Sequence, residues 1–295
     1  MRLLNLHTIL AAVDVDESSD AALESATRLA KAAGASLHVA HVLPPVDERS
    51  TRGQSLDEST ASVWQALRRA NITARDARVH LIPGSPADTI RSLAERLNAN
   101  VIVLGPHRSV TRTASSAGPL GSTAQAVLVG AAAPCLVAPV PLRLPLERVV
   151  VPIDMSETAR GALLVAVSWA SALRVGPECE TPTTLTAIHV DTTPESASPH
   201  AASAVQSEVE RLGEGVGRWS CVDVRATARH NADVVETIAG FAADERADLV
   251  VIGSRGLGLD QAARLGSVCG AVLVRLETPT LLVPPAVWRA HAAVA

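Results

Sequence analysis

Glu147–Leu163 reads ERVVVPIDMSETARGAL. It is a run of β-branched residues, closed by an aspartate, that turns at once into a polar, helix-starting segment. Five apolar residues in succession, Val149–Ile153, suit a strand buried on both faces. Ser156 then offers a cap oxygen, and Glu157 places negative charge in the first turn of a helix. The same sentence is written earlier in the chain as HTILAAVDVDESSDAAL, His7–Leu23. In both, leucine preceded by alanine stands nine residues after the aspartate, Asp14 or Asp154.

Further matches follow in the same order, about 140 to 148 residues apart. SLHVAHVLPP (Ser36–Pro45) parallels TLTAIHVDTT (Thr184–Thr193), and NANVIVLG (Asn98–Gly105) parallels RADLVVIG (Arg246–Gly253). APCLVAPV (Ala133–Val140) parallels TPTLLVPP (Thr278–Pro285). Repetition at a fixed offset predicts a duplicated unit. The proline-rich PVPLRLPLE (Pro139–Glu147) marks the junction, giving domains 1–142 and 143–295. In the second copy the pattern predicts strands near Val149–Ile153, Thr184–Val190, Cys221–Thr227, Leu249–Ile252 and Thr280–Val283. The helical segments include SETARGALLVAVSWASAL and NADVVETIAGFAADERA. Apolar strands separated by helices make a parallel sheet covered on both faces. Each copy is expected to be a doubly wound α/β unit.

Between Val250 and Leu273 the chain reads VVIGSRGLGLDQAARLGSVCGAVL, with Gly253, Gly256, Gly258 and Gly266 crowded together and Ser267 after the last. Ligands of doubly wound sheets sit beyond the carboxyl ends of the strands, where the strand order reverses. In a 3-2-1-4-5 order, Asp154 and this loop face one crevice. The form G-x2-G-x9-G-S lets backbone N–H groups approach a polyanion, and the helix from Ser267 to about Arg275 directs its positive end there. The plainer alternative makes Gly253–Gly258 a turn and Gly266 a helix boundary. Other phosphate motifs do not fit: there is no G-x4-G-K-[ST], and a dinucleotide fingerprint would follow the first strand, where DVDESS and DMSETA stand instead.

The totals narrow the class. The 295 residues are 47% hydrophobic and 19% charged, enough for two domains with their own cores. A net charge of −4 gives no basic field for nucleic acid. No apolar run reaches membrane-spanning length, and the N-terminal MRLLNLHTILAAVDVD turns acidic too early for a signal peptide, so a cytoplasmic protein is expected. Cys135, Cys179, Cys221 and Cys269 lack metal or redox spacing and read as buried free thiols.

VVVPIDMSET, AIHV and GSRG…GS, in this order and spacing, make the chain resemble the universal stress protein family in its tandem form. The resemblance implies a five-stranded parallel sheet in each unit, with ATP in the switch-point crevice. It places Pro152, Asp154, Val190, Ile252 and Gly253 around adenine and ribose, and Gly256, Gly266, Ser267 and Val268 around the phosphates. Magnesium is a candidate companion ion, with its ligands unassigned. An adenine pocket made of backbone and apolar contacts suits a chain with 2% aromatics. The resemblance also implies an internal pseudo-dimer of the two domains, pairing the strands of CLVAPV and TLLVPP, and leaves a further homodimer open.

The first copy keeps Asp14, Val42, Gly105, Gly121 and Ser122, but its loop reads GPHRSVTRTASSAGPLGS. Arg108 replaces the second glycine, and sixteen positions separate Gly105 from Gly121 against thirteen between Gly253 and Gly266. Either Arg108, Arg112 and His107 hold phosphates by charge, or the site is degenerate. His41 and His189, each inside an apolar strand, read as core histidines capped by a hydrogen bond rather than as metal ligands. Three functions stay open. The leading one is a nucleotide-dependent regulator or sensor in stress response. The others are a slow ATP hydrolase, for which no dedicated base or lysine clamp is visible, and an ATP-independent scaffold. No catalytic residue is assigned.

Overall fold

A computed structural model of the chain describes residues 6–14, 19–43, 56–106, 120–173, 182–192, 201–216, 221–256 and 265–292. These form two compact units, one of Leu6–Leu142 and one from Arg143 onward. The first unit runs β1 (Thr8–Ala12), α1 (Asp20–Ala33), β2 (Ser36–Leu43), α2 (Leu56–Arg69), β3 (Ala77–Pro83), α3 (Pro86–Arg96), β4 (Val101–Leu104), α4 (Ser122–Gly130) and β5 (Cys135–Val137). The second runs β6 (Arg148–Pro152), α5 (Glu157–Ala172), β7 (Thr183–Asp191), α6 (Ala201–Val216), β8 (Val222–His230), α7 (Val234–Asp244), β9 (Leu249–Gly253), α8 (Ser267–Arg275), β10 (Thr280–Val283) and α9 (Pro285–Ala292).

Within the first unit the strands lie in the order β3-β2-β1-β4-β5, and within the second β8-β7-β6-β9-β10, every described pair parallel. Both are the 3-2-1-4-5 arrangement expected of the repeat. The switch point therefore falls between β1 and β4, and between β6 and β9. Ile9, Leu10 and Ala11 of β1 and Val151 of β6 are wholly buried, which accounts for strands apolar at consecutive positions rather than alternate ones.

Local chemistry sets the helix starts. The Ser156 hydroxyl accepts the Ala159 N–H at 3.2 Å at the head of α5, and the Asp233 carboxylate accepts the Glu236 N–H at 3.0 Å at the head of α7. Each such cap is worth about 1 kcal/mol. α5 is buried almost throughout, with Trp169 in the core, and α9 closes over it with Trp288 against Gly161.

Two expectations are adjusted. β8 runs on to His230, past the polar Thr227, because its register with β7 continues to Asp191↔His230 and backbone pairing holds a strand the side-chain pattern does not announce. Among the cysteines, Cys135 and Cys269 are the buried free thiols expected, whereas Cys221 is disulfide-bonded. Cys179 lies outside the described residues.

Candidate functional site

The second unit brings its predicted residues together at the carboxyl ends of β6 and β9, paired through Val149↔Leu249 and Val150↔Val250. Asp154 follows β6. Its Oδ1 accepts the Ser156 N–H at 3.0 Å, and Met155 between them takes a left-handed φ of 64°, so the carboxylate is held over the turn into α5. Across the switch point, a Cβ on Gly256 would stand 2.5 Å from Asp154 Oδ2. Carboxylate and bare main chain thus share one crevice.

The glycines divide into different roles. A Cβ on Gly253 would lie 2.9–3.0 Å from the backbone and Cβ of Thr158. That glycine answers to the close approach of the first turn of α5, a packing reason that sequence reading did not supply. Gly266 is extended (φ −56°, ψ 145°), and a Cβ there would make ordinary contacts at 3.4–3.5 Å with the Ser254–Gly256 turn. Its N–H donates to Ser254 O at 3.0 Å, which closes the loop and sets the start of α8 beside it. Ser267 and Val268 are exposed in the first turn of α8, whose N–H groups have no intrahelical partner. Pro152 and Ile252 are buried, and Val190 is half-buried near the end of β7. Two residues outside the predicted set complete the frame. The Thr158 hydroxyl donates to Arg255 O, and buried Ser254 donates its N–H to Val283 O at 2.9 Å. The signal for Thr158 was its place in the helix turn beside Asp154.

His189 Nδ1 lies 2.8 Å from Ile153 O, and His41 Nδ1 lies 3.1 Å from Val13 O. A carbonyl only accepts, so each ring carries its proton on Nδ1 and pins the residue before the aspartate. Both histidines are structural caps, as their placement predicts.

In the first unit a cavity of about 130 Å³ occupies the equivalent crevice. Asp14, Val42 and Gly105 line it together with Ala40, Ile90 and Thr123. Gly121 is buried and keeps the same backbone as Gly266 (φ −59°, ψ 148°), with Ser122 exposed after it. Arg108, like His107 and Arg112, lies outside the described residues. Ser19 and His41 also line the cavity, and neither was a predicted ligand-binding residue.

A model of the universal stress protein family matches residues 5–139 and 145–284. The chain belongs to the universal stress protein family. Each unit carries one copy, and together they span nearly the full length. A solved universal stress protein from Archaeoglobus fulgidus is 21% identical, with a TM-score of 0.68, covering 94% of this chain and 98% of that one. A functionally unknown protein from Pseudomonas aeruginosa is 17% identical with a TM-score of 0.64, covering 98% and 96%. These likenesses establish the shared fold. A third structure, an Archaeoglobus fulgidus universal stress protein in complex with dAMP, is 22% identical over 46% of this chain and 99% of its own, with a TM-score of 0.35. No curated protein matches this universal stress protein. Among the described residues, no helix is long and apolar enough to cross a membrane.

Proposed function

We propose that the second unit binds ATP and that this universal stress protein acts in the cytoplasm as a nucleotide-dependent regulator or sensor in stress response. The observation that carries the reading is the meeting of Asp154 with the Gly256 main chain at the switch point. A side chain at position 256 would fill the space left there. In this reading Pro152, Val190, Ile252 and Gly253 surround the base and ribose, with Asp154 accepting from ribose hydroxyls. The main chain at Gly256 and the N-terminal turn of α8, from Gly266 through Ser267 to Val268, receives the phosphates, where N–H donors and the helix dipole favour negative charge.

Magnesium fits only as a companion of the phosphates. Among the described residues no group of three His, Cys, Asp or Glu is placed to hold a metal ion. A sensor rather than an efficient hydrolase is favoured because the described crevice holds no lysine clamp.

The test is calorimetric. Wild-type protein takes up one ATP in the second unit, and Gly256→Val, which drives a branched side chain into Asp154, abolishes that event while the circular dichroism spectrum stays unchanged. Unchanged ATP affinity in a folded Gly256→Val protein overturns the assignment. A phosphate-release assay on the ATP-loaded protein, with Asp154→Ala as control, separates retention from turnover.

A further inference from the structure

In the amino-terminal halves of β2 and β3 the first unit gathers positive and ionisable groups with no carboxylate among them. His38 Nδ1 and His80 Nε2 are hydrogen-bonded at 2.9 Å, with ring centroids 5.1 Å apart. Register sets Arg78 beside His38, as paired positions of parallel neighbours. α3, which packs against β2, ends at Arg96, whose charge falls on His80. From β1 the position paired with His38 is Leu10, which brings no charge. Arg78, Arg96 and the partner ring are thus the charges acting on the imidazoles, all of one sign. His38 is buried and His80 half-buried, while both arginines are exposed, so the cluster opens to solvent on its guanidinium side.

The second unit shows how such a place is neutralised. Its β7–β8 register pairs Thr186 with Arg225 as His38 pairs with Arg78, and it carries Thr227 for His80 and Asp244 for Arg96. There Arg225 is held by Asp223 at 2.6 Å. The first unit keeps that carboxylate as Asp76 but engages it elsewhere: the Thr73 N–H and hydroxyl donate to Asp76 Oδ2 at 2.8 and 2.6 Å. Among the described residues neither Arg78 nor Arg96 pairs with a carboxylate.

Proton counting defines what the ring pair can do. The neutral pair holds one proton between the facing nitrogens and one on an outer nitrogen, either His38 Nε2 or His80 Nδ1. A further proton fills the other outer nitrogen and leaves the inner hydrogen bond intact. One more would set two N–H groups face to face. The pair can therefore take up a single proton without breaking, and the two guanidinia oppose that uptake until an anion offsets their charge.

We propose that Arg78, Arg96 and the His38–His80 pair form a proton-coupled site for a tetrahedral dianion of the phosphate and sulfate class. The guanidinia donate to the anion's oxygens, and the ring pair takes up one proton as the anion arrives. Binding therefore tightens as pH falls. The site lies at the amino end of the sheet, away from the crevice at the carboxyl end, and does not depend on nucleotide binding there.

Sulfate, whose charge is constant near neutrality, is the first probe, titrated by calorimetry into the full-length protein at fixed ionic strength in buffers of differing ionisation enthalpy. The expected result is uptake that tightens from about pH 8 to about pH 6, by up to about tenfold per pH unit, with up to one proton absorbed per anion. Inorganic phosphate and glycerol phosphate are compared at about pH 8, where both are dianions. Equal affinity supports a site for the phosphate group on any carrier, and binding of the inorganic ion alone supports a site for the free anion. An Arg78→Gln, Arg96→Gln protein should lose most of the affinity. A His38→Gln, His80→Gln protein should still bind in alkaline buffer but without the pH dependence or the proton uptake, a readout that damage to the fold would not produce; melting curves confirm that both variants fold. Four results overturn the proposal: no sulfate uptake at millimolar concentration, affinity that is flat or falls in acid, uptake that survives loss of both arginines, or proton coupling that survives loss of both histidines.

Discussion

At the scale of single residues, the glycines of the second unit show that one residue type serves separate ends within fourteen positions. Gly253 admits no side chain because the α5 backbone is already there, so Gly253→Ala forces a local shift and destabilises the unit by about 1–3 kcal/mol, the usual range for overpacking. Gly266 has room for a methyl group at van der Waals distance, and Gly266→Ala is expected to stay within about 0.5 kcal/mol of wild type. Urea melts of the two variants check the contrast, and equal losses would contradict it. The sequence made the cluster visible, along with its strand position and the aspartate it faces. It did not distinguish a glycine required by a helix from one required by a ligand, because that depends on how closely α5 crosses β9.

At the scale of elements, the strand pair β2–β3 contains a hydrogen-bonded pair of imidazoles, His38 Nδ1 and His80 Nε2 at 2.9 Å, with nearly parallel rings. Burial, then the neighbouring His80 ring and the Arg78 guanidinium, hold His38 below the ordinary imidazole range. Burial, then Arg96 and Arg78, do the same to His80. Unfolded imidazoles take up protons near pH 6.5, while the folded pair resists until lower pH. Between those points the unfolded chain binds more protons, so stability rises with pH there and is lost as pH falls below about 6.5. The denaturation midpoint should therefore drop between pH 7.5 and 5.5, and the drop should shrink in a His38→Gln, His80→Gln protein. A midpoint that rises in acid would contradict the sign. Strand identity at β2 was legible from the apolar run around His38. The partnership with His80 was not, because it needs the β2–β3 register.

At the scale of the molecule, the duplication was the most legible feature, since four matched segments in one order leave little freedom in topology. The outcomes for cysteine were less legible, because pairing depends on positions that spacing does not encode. Burial pushes the thiols of Cys135 and Cys269 up to about 12. Neither should react with a thiol reagent at pH 8 until denaturant is added, because the thiolate is the reactive form; rapid labelling of either in native protein would show that its burial is not maintained.

The hydroxyl of Thr158 fastens the Ser254–Gly256 turn, at Arg255 O, to the first turn of a helix sunk in the core from Gly161 to Ala170. The turn is thus splinted to a helix buried at ten consecutive positions. Loading it should register as slower amide exchange along α5, a change in rigidity felt well inside the protein, with little swing of the backbone.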